Sequence, residues 1–301
     1  MAKTPPQIPQ RLREMMLELG PKWGTSIRAF TKLQSEAFSE ILADAPKEGV
    51  ETREIAYGGH PRQVLDVFAP RGAAAAPVVL FVHGGAFVEG NKDRTAEIYA
   101  NVGWYFARQG VVAINMEYRL APEFKYPAGV EDVAAAVAWT RANIARFGGD
   151  PQRIFLFGHS AGAAHVGCYA YDSRFHPGGH AGAAGLIVVS GRVRIDNLPQ
   201  NPNAKNVEAY FGTDTALMEQ GSVITHVRAD SMPTMIGIAE FENPQLDIYC
   251  LELAHRLAQA RGRAPRVLWL AGHNHNSSIA HMNTAEELLG SAILEFMRSG
   301  R

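Results

Sequence analysis

The sequence predicts an α/β fold in which a mostly parallel sheet of eight strands is flanked by helices. Short apolar runs rich in β-branched and aromatic residues alternate with longer helical patterns along the chain. This alternation favours parallel pairing through right-handed crossovers. The first two runs have no helix between them, so the sheet is expected to begin with an antiparallel pair. The chain has 301 residues, 47% of them hydrophobic, which is enough for one large core.

Each strand prediction depends on a short apolar run bounded by Gly, Pro or charged residues. The runs cover residues 54–57, 64–68, 78–82, 111–115, 154–157, 186–190, 234–239 and 267–270. The predicted helices between them cover residues 95–109, 130–147, 161–171, 244–260 and 284–298. Gly110 and Gly148 follow the first two helices, where a residue in the left-handed conformation commonly ends a helix.

Two segments interrupt this alternation within what we expect to be a single domain of residues 1–301. Residues 1–50 form an amphipathic helical region, and residues 196–231 are rich in Asn and Pro before becoming weakly helical. We expect the first to be a small N-terminal helical lid and the second to be an inserted cap. Both would cover one end of the sheet.

The composition argues against several classes of function. The formal net charge is −1 and no basic stripe is present, so neither a nucleic acid nor an anionic membrane surface is an expected partner. The two cysteines, Cys168 and Cys250, lie in helical patterns and favour a reducing compartment, so a cytoplasmic location is expected. The first residues do not read as a secretory leader, and no apolar run predicts a membrane span.

The stretch GHSAG at 158–162 follows a predicted strand and opens a predicted helix. Ligands of open parallel sheets bind beyond the carboxyl ends of the strands. In so tight a turn, side chains at Gly158 and Gly162 would collide with neighbouring backbone, which explains both glycines. Ser160 is then either a small residue required by a tightly packed turn or a nucleophile held toward a substrate. In the second case, the N–H of Ala161 lies beside it at a helix N-terminus.

The stretch HGGAF at 83–87 lies directly after the strand predicted at 78–82. Two glycines after a strand leave backbone N–H groups free to face a developing oxyanion. The alternative is a simple Gly-Gly turn. That alternative does not explain why the turn precedes the serine stretch, as an oxyanion loop would.

With these motifs, the sequence resembles the α/β-hydrolase family, specifically the hormone-sensitive-lipase-like carboxylesterases. The third stretch that carries the resemblance is YRLAPEFKYPAGVEDVAAAVAWTRANIARFGGDPQRI at 118–154. The resemblance is strongest over residues 75–170 and weakest over residues 1–50, where such enzymes carry a variable lid. It implies the α/β-hydrolase fold, a triad in the chain order serine, acid, histidine, and no cofactor or metal.

The resemblance also implies the nucleophile and the oxyanion donors. Ser160 matches the nucleophile. Relatives usually carry a third glycine where this chain has Ala86, which keeps its N–H but narrows the space beside it. The backbone N–H groups that the resemblance assigns to the oxyanion hole are those of Gly84, Gly85, Ala86 and Ala161.

The base is expected after the last strand, where AGHNHNSS offers His273 and His275. The resemblance favours His275, because arylformamidase-like relatives use the second histidine of such a pair, and His273 stays open as the alternative. A metal site of His273, His275 and His281 fits the spacing. No carboxylate or cysteine cluster accompanies these histidines, so no metal is expected.

The acid is expected after the seventh strand, where relatives carry an aspartate that aligns with Glu242. Asn243 resembles a helix N-cap and Pro244 a first helical residue. Asp247 would then lie inside the helix and point away from the sheet end. Glu242 is therefore the predicted acid, Asp247 and Glu240 stay open as alternatives, and Glu240 better fits a brace for the loop.

The implied activity is hydrolysis of small uncharged carboxylic esters through an acyl-enzyme. Phe87, Trp23, Phe30 and Phe38 are expected to line a lidded apolar pocket, unless they only pack the lid on the core. A second interpretation is an arylformamidase-like amide or carbamate hydrolase, and a third is a non-catalytic small-molecule receptor on the same fold. The expected partners are a small-molecule ester and, in a homodimer, a second copy of the chain.

Overall fold

The computed structural model describes residues 3–176 and 178–300, and its centre is one eight-stranded sheet. The strands are β1 Val50–Ala56, β2 Val64–Ala69, β3 Ala76–Val82, β4 Val112–Met116, β5 Gly149–His159, β6 Gly185–Val189, β7 Thr234–Phe241 and β8 Arg266–Asn274. Their order across the sheet is β1-β2-β4-β3-β5-β6-β7-β8. β2 runs antiparallel to β1 and to β4, and the remaining pairs are parallel. The predicted sheet with its antiparallel start is confirmed.

The five helices predicted between strands are all present, and helix 161–171 has the predicted bounds. The α-helices of the described residues are α1 Gln10–Leu19, α2 Ile27–Leu42, α3 Ile98–Arg108, α4 Ala128–Asn143, α5 Ala161–Tyr171, α6 Ala204–Phe211, α7 Thr215–Gly221, α8 Leu246–Arg261, α9 Ser277–Ala280 and α10 Leu288–Ser299. Gly110 and Gly148 have the left-handed φ of 80° expected after helix ends.

Side chains on β3 alternate between two cores, because successive residues of a strand point to opposite faces of the sheet. Val78, Leu80 and Val82 belong to the core that includes residues of α4, α5 and α8. Val79 and Phe81 belong to the core that includes residues of α3 and α10. Helices therefore cover both faces of the sheet, and the ends of the strands are left for a site.

The two segments outside the alternation pack at different places. Leu12 of α1 and Phe38 of α2 are buried in the core that contains α3 and α10. Val207 and Phe211 of α6 form a smaller apolar cluster with Phe87. The N-terminal segment is thus part of the core on the α3 and α10 face of the sheet, whereas the segment 196–231 contributes to a separate, smaller cluster.

Two further observations concern the helices. Cys168 on α5 and Cys250 on α8 are free thiols and are buried. Burial raises the pKa of both thiols above its ordinary value, so they behave as small apolar side chains. Within the described residues, no helix combines the length and the apolar character that a bilayer crossing requires.

Candidate active site

Ser160 occupies a strained turn between β5 and α5. Its φ of 57° and ψ of −122° are rarely adopted by a residue with a side chain. A Cβ on Gly158 would lie 2.5 Å from the Cα of Ala163, and a Cβ on Gly162 would lie 2.1 Å from the carbonyl oxygen of Val82. These contacts supply the physical reason for both glycines that the sequence pattern predicts.

The structure brings Ser160, His275 and Glu242 together. His275 Nε2 lies 3.0 Å from Ser160 Oγ, and His275 Nδ1 lies 2.9 Å from Glu242 Oε2. The three residues directly follow β5, β8 and β7, whose parallel carboxyl ends meet at one edge of the sheet. When Nδ1–H donates to the carboxylate, Nε2 is left as the acceptor of the serine O–H.

The loop after β7 is held by its own backbone and by the N-terminal segment. Glu242 Oε1 accepts a hydrogen bond of 3.0 Å from the backbone N–H of Ala239, and the side chain is 2% exposed. The indole N–H of Trp23 donates to Asn243 Oδ1 at 2.8 Å. The second carboxylate oxygen therefore stays free to face His275.

The backbone of His275 is held as firmly as its ring. Its N–H donates to the carbonyl of Phe241 at 3.1 Å. Its carbonyl accepts from Ser278 Oγ at 2.9 Å and from His159 Nε2 at 3.0 Å. Burial lowers the pKa of His159 well below its ordinary value, so this neighbouring ring stays neutral.

The alternative base lies elsewhere. His273 Nε2 is 3.0 Å from Glu286 Oε1, and its Nδ1 is 3.1 Å from Ser277 Oγ, so both ring nitrogens are engaged away from Ser160. The hydrogen bond from His273 lowers the pKa of Glu286 to about 2. The ring of His281 packs on that of His273 at 4.4 Å. The described part of the chain contains no group of three or more His, Cys, Asp or Glu arranged to hold a metal ion.

The alternative acids do not contact His275. Glu240 Oε2 accepts from the backbone N–H of Gly272 at 2.6 Å and so braces β7 against β8. Asp247 lies in the first turn of α8. That helix begins at Leu246, two residues after the predicted start at Pro244, and its N-cap is Gln245 with a φ of 76°. The prediction of an N-cap at Asn243 is wrong, because the Asn243 side chain instead bonds Trp23.

The loop after β3 passes directly beside Ser160. A Cβ on Gly84 would lie 2.9 Å from the Cβ of Ser160. Gly85 has a φ of 142°, and Ala86 has a left-handed φ of 48°. Among the described residues, the backbone N–H groups of Gly85 and Ala86 have no protein acceptor. Ala161 is the first residue of α5, where backbone N–H groups also lack acceptors within the helix.

A buried cluster around His83 and Glu117, which the sequence did not predict, packs against the loop after β3. His83 Nε2 contacts Glu117 Oε1 at 3.0 Å, and its ring stacks on Tyr118 at 4.4 Å. Arg62 forms an ion pair with the same carboxylate. Burial opposes ionisation of Glu117, but the bond from His83 and the nearby cations lower its pKa overall. The available signal was Glu117 itself, an acid directly before the Tyr-Arg stretch at 118–119.

The cavity beside Ser160 differs from the predicted aromatic pocket. Trp23, Phe38 and Phe87 are at most 1% exposed, and none of them lines the cavity. Phe30 packs against Trp23 with ring centroids 6.1 Å apart, and Phe87 stacks on Tyr210 at 5.0 Å. Trp23, Phe38 and Phe87 bury large apolar areas, which stabilises the fold more than exposure at an open site would, and Phe30 is half-buried. The prediction of an apolar pocket lined by these four residues is therefore wrong.

The cavity instead has a polar and charged lining and a volume of about 340 Å³. Ser160 and His275 lie on its wall together with Gly85 and Ala86. The remaining lining residues come from α2, the loops after β3 and β7, and the segment 196–231; they are Ile27, Arg28, Thr31, Lys32, Glu89, Arg94, Asn203 and Asn243. The spacing of Arg28 and Lys32, four residues apart on a predicted helix, was the only sequence signal for this wall.

Comparisons with known proteins show a likeness to esterases. Residues 65–174 match the family model described as BD-FAE. The esterase LipC of Mycobacterium tuberculosis is 40% identical over 131 residues, which are 42% of this chain and 32% of that protein. The isoprenylcysteine alpha-carbonyl methylesterase ICME of Arabidopsis thaliana is 32% identical over 156 residues, which are 50% of this chain and 36% of that protein. The chain thus spans about a third of the length of these curated relatives.

Solved structures extend the likeness to nearly the whole chain. A hyperthermophilic esterase from the archaeon Pyrobaculum calidifontis superposes with a TM-score of 0.74 at 22% identity, covering 98% of this chain and 99% of that one. The thermostable carboxylesterase EstE1, cloned from a metagenomic library, gives a TM-score of 0.69 at 21% identity, covering 92% of this chain and 96% of that one. The chain therefore has the α/β-hydrolase fold of these solved structures.

Proposed function

We propose that the protein is a serine carboxylesterase that acts through an acyl-enzyme. The observation that carries this proposal is the chain of contacts from Ser160 Oγ to His275 Nε2 at 3.0 Å and from His275 Nδ1 to Glu242 Oε2 at 2.9 Å. A hydroxyl, an imidazole and a buried carboxylate in this order form the arrangement that activates a serine for attack on a carbonyl carbon.

The proposed reaction has two halves. His275 takes the proton from Ser160 as Oγ attacks the ester carbonyl, and then gives that proton to the departing alcohol. Water enters, loses a proton to the same imidazole and attacks the acyl-enzyme, which releases the carboxylic acid and restores the serine. Glu242 keeps the imidazole in the tautomer that accepts at Nε2 and stabilises its charged form.

The oxyanion formed in each half needs hydrogen-bond donors that are already in place. The backbone N–H groups of Gly84, Gly85 and Ala86 in the loop and of Ala161 at the start of α5 are the proposed donors. The free N–H groups of Gly85 and Ala86 beside Ser160 support this role. Removing one such donor in related chemistry costs roughly 3–4 kcal/mol of transition-state stabilisation.

An ester is a better candidate substrate than an amide, because the matching relatives bear esterase and methylesterase names. The arylformamidase-like amide or carbamate hydrolase remains the second candidate, since the same three side chains serve either leaving group. Parallel rates on p-nitrophenyl acetate and p-nitroacetanilide discriminate the two. A non-catalytic receptor would need no ordered contact between Ser160 and His275, so the observed 3.0 Å contact disfavours it.

The test is covalent labelling with a fluorophosphonate, together with hydrolysis of p-nitrophenyl acetate. The parent protein is expected to be labelled at Ser160 and to hydrolyse the ester, and Ser160→Ala to lose both properties. Ser173→Ala, which removes an exposed hydroxyl that does not line the cavity, is the matched control and should keep both. Equal labelling and equal turnover in Ser160→Ala would overturn the proposal.

We also propose a homodimer that pairs along the edge strand β8, in a protein located in the cytoplasm. Val267 and Trp269 on that strand are 42% and 50% exposed, and its outer edge has no partner strand within the described sheet. Exposed apolar edge strands favour association. Light scattering should show a dimer that Trp269→Lys converts to a monomer, and a monomeric parent protein would contradict the proposal.

A further inference from the structure

The cavity beside Ser160 has an excess of positive charge. Arg28, Lys32 and Arg94 line it, whereas Glu89 is the acidic residue of the same lining. Arg94, Glu89, Gly85 and Thr31 also line an adjoining cavity of about 270 Å³. Arg94 therefore contributes to the walls of both cavities.

Arg94 is held in place at a strained position. Its Nη2 donates to Asn276 Oδ1 at 2.6 Å and its Nη1 donates to the hydroxyl of Tyr99 at 3.0 Å. Its backbone has a left-handed φ of 59°, which is uncommon for a residue with a long side chain and often marks functional positions. The guanidinium carries five N–H donors, so most of them are left for a ligand.

The other two cations come from one helix. Arg28 and Lys32 are exposed and lie four residues apart on α2, hence on the same face. Lys32 reaches Glu36 at 4.0 Å in a pair whose side chains are 80% and 63% exposed, which neutralises little charge. No carboxylate of the described residues lies within ion-pair distance of Arg28 or Arg94.

We propose that the substrate is an ester that carries a carboxylate, and that Arg94, assisted by Arg28 and Lys32, binds this carboxylate while the ester carbonyl lies at Ser160. A planar guanidinium with free donors suits bidentate binding of a carboxylate. The cavity volume is near the lower end of the range for ligand pockets, roughly 300–1,000 Å³, so a short dicarboxylic monoester or an acylated hydroxy acid fits. The neutral substrate expected from the sequence is replaced by an anionic one.

This inference rests on the proposed esterase function and concerns the choice of ester. The carboxylate has two sources, the acyl side or the alcohol side, and two substrate pairs separate them. Monomethyl succinate is compared with its neutral isostere methyl isocaproate, and acetoxyacetate is compared with isobutyl acetate. Initial rates are followed in a pH-stat at fixed ionic strength, and each kcat/KM is divided by the rate of alkaline hydrolysis of the same ester.

In at least one pair, the carboxylate ester is expected to exceed its isostere by about tenfold, the effect of one charged hydrogen bond. Added salt should reduce this ratio, because α2 is exposed to solvent. Arg94→Gln and the double variant Arg28→Gln with Lys32→Gln should each lower the ratio. Glu89→Gln should raise it, since a repelling charge is removed.

Arg11→Gln is the matched control, because it removes an exposed arginine of α1 that does not line the cavity. The ratio is the decisive measurement: loss of the Arg94 bond to Asn276, next to His275, slows both esters of a pair alike and leaves their ratio unchanged. The inference would be overturned if the neutral ester were preferred in both pairs. It would also be overturned if neither Arg94→Gln nor the double variant Arg28→Gln with Lys32→Gln lowered the ratio. Failure of the esterase proposal itself would appear separately, as absent fluorophosphonate labelling and no turnover of any ester.

Discussion

At the scale of single residues, the proposed acid depends on which carboxylate follows β7. Glu242 reaches His275 because it directly follows β7 and precedes the start of α8 at Leu246, and its other oxygen is held by the N–H of Ala239. Glu240 braces Gly272 instead. The family resemblance aligned Glu242 with the acid of relatives, and the sequence pattern supported that choice because Asp247 was expected inside a helix that points it away from the sheet end.

Glu242→Gln is expected to lower kcat by roughly a thousandfold or more, because the amide cannot stabilise the imidazolium and permits the wrong tautomer. Steady-state kinetics on p-nitrophenyl acetate measures this loss. Asp247→Asn is the matched control and should stay within about threefold of the parent protein. The reverse pattern would assign the acid to Asp247.

His165 links a single residue to the pH dependence of stability. Burial lowers its pKa from 6.5 to about 3, so the unfolded chain binds one more proton than the folded one between these values. The titration of His165 therefore leaves the free energy of unfolding unchanged above pH 6.5 and lowers it progressively as the pH falls toward 3. His165→Phe should therefore reduce the slope of the free energy of unfolding against pH by up to about 1.4 kcal/mol per pH unit.

Urea unfolding between pH 6.5 and 4.5 gives this slope, within the interval set by the two pKa values. Phenylalanine suits the site, since the His165 ring already packs edge-on against Phe87 at 5.4 Å and Tyr210 at 5.5 Å. His180→Phe, at an exposed histidine, is the comparison variant. An unchanged slope in His165→Phe would show that this ring is not the source of the acid sensitivity.

At the scale of elements, the strands and the serine turn were predictable because local physics fixes them. Apolar runs of strand length specify buried strands. Gly158 and Gly162 were predictable because any larger residue at these positions would clash with neighbouring backbone in so tight a turn. The start of α8 was not predictable. Asn243 and Pro244 have the local preferences of a helix start, but a bond from Trp23, 220 residues away, holds Asn243 in the loop.

Gly162→Ala is expected to destabilise the protein by about 1–3 kcal/mol and to reduce esterase activity, because the new methyl group must displace the carbonyl of Val82 at 2.1 Å. Urea unfolding and p-nitrophenyl acetate turnover measure the two effects. Gly59→Ala adds the same methyl group where no atom lies within 4 Å, so it should be neutral. Equal stability of the two variants would mean that the turn relaxes without cost.

At the scale of the whole molecule, the cavity is assembled from parts of the chain that no local pattern connects. Arg28 comes from α2, Arg94 from the loop before α3, and Asn203 from the segment 196–231. Aromatic rings were expected there because the two segments outside the strand–helix alternation contain several of them. In the folded chain, Trp23 and Phe38 are buried and polar side chains of α2 line the cavity. Which face of α2 is buried depends on its packing against distant parts of the chain.

Trp23→Phe tests whether the N-terminal segment supports the site. The substitution keeps an aromatic ring but leaves the buried Asn243 amide without its partner, which costs about 1–3 kcal/mol. We expect lower stability and a lower kcat, because Asn243 adjoins Glu242. Trp139→Phe, at a half-buried tryptophan of α4 that does not line the cavity, is the matched control for both measurements. If both variants behave alike, the indole bond has no part in the site.

The helix α2 lines the cavity but contributes none of the residues proposed to make or break bonds. Part of the recognition surface is therefore encoded in a stretch of sequence that contains none of the reactive residues. Randomising Ile27, Arg28, Thr31 and Lys32 as a cassette should yield enzymes with altered ester preferences and an intact reactive centre, and natural divergence can follow the same route.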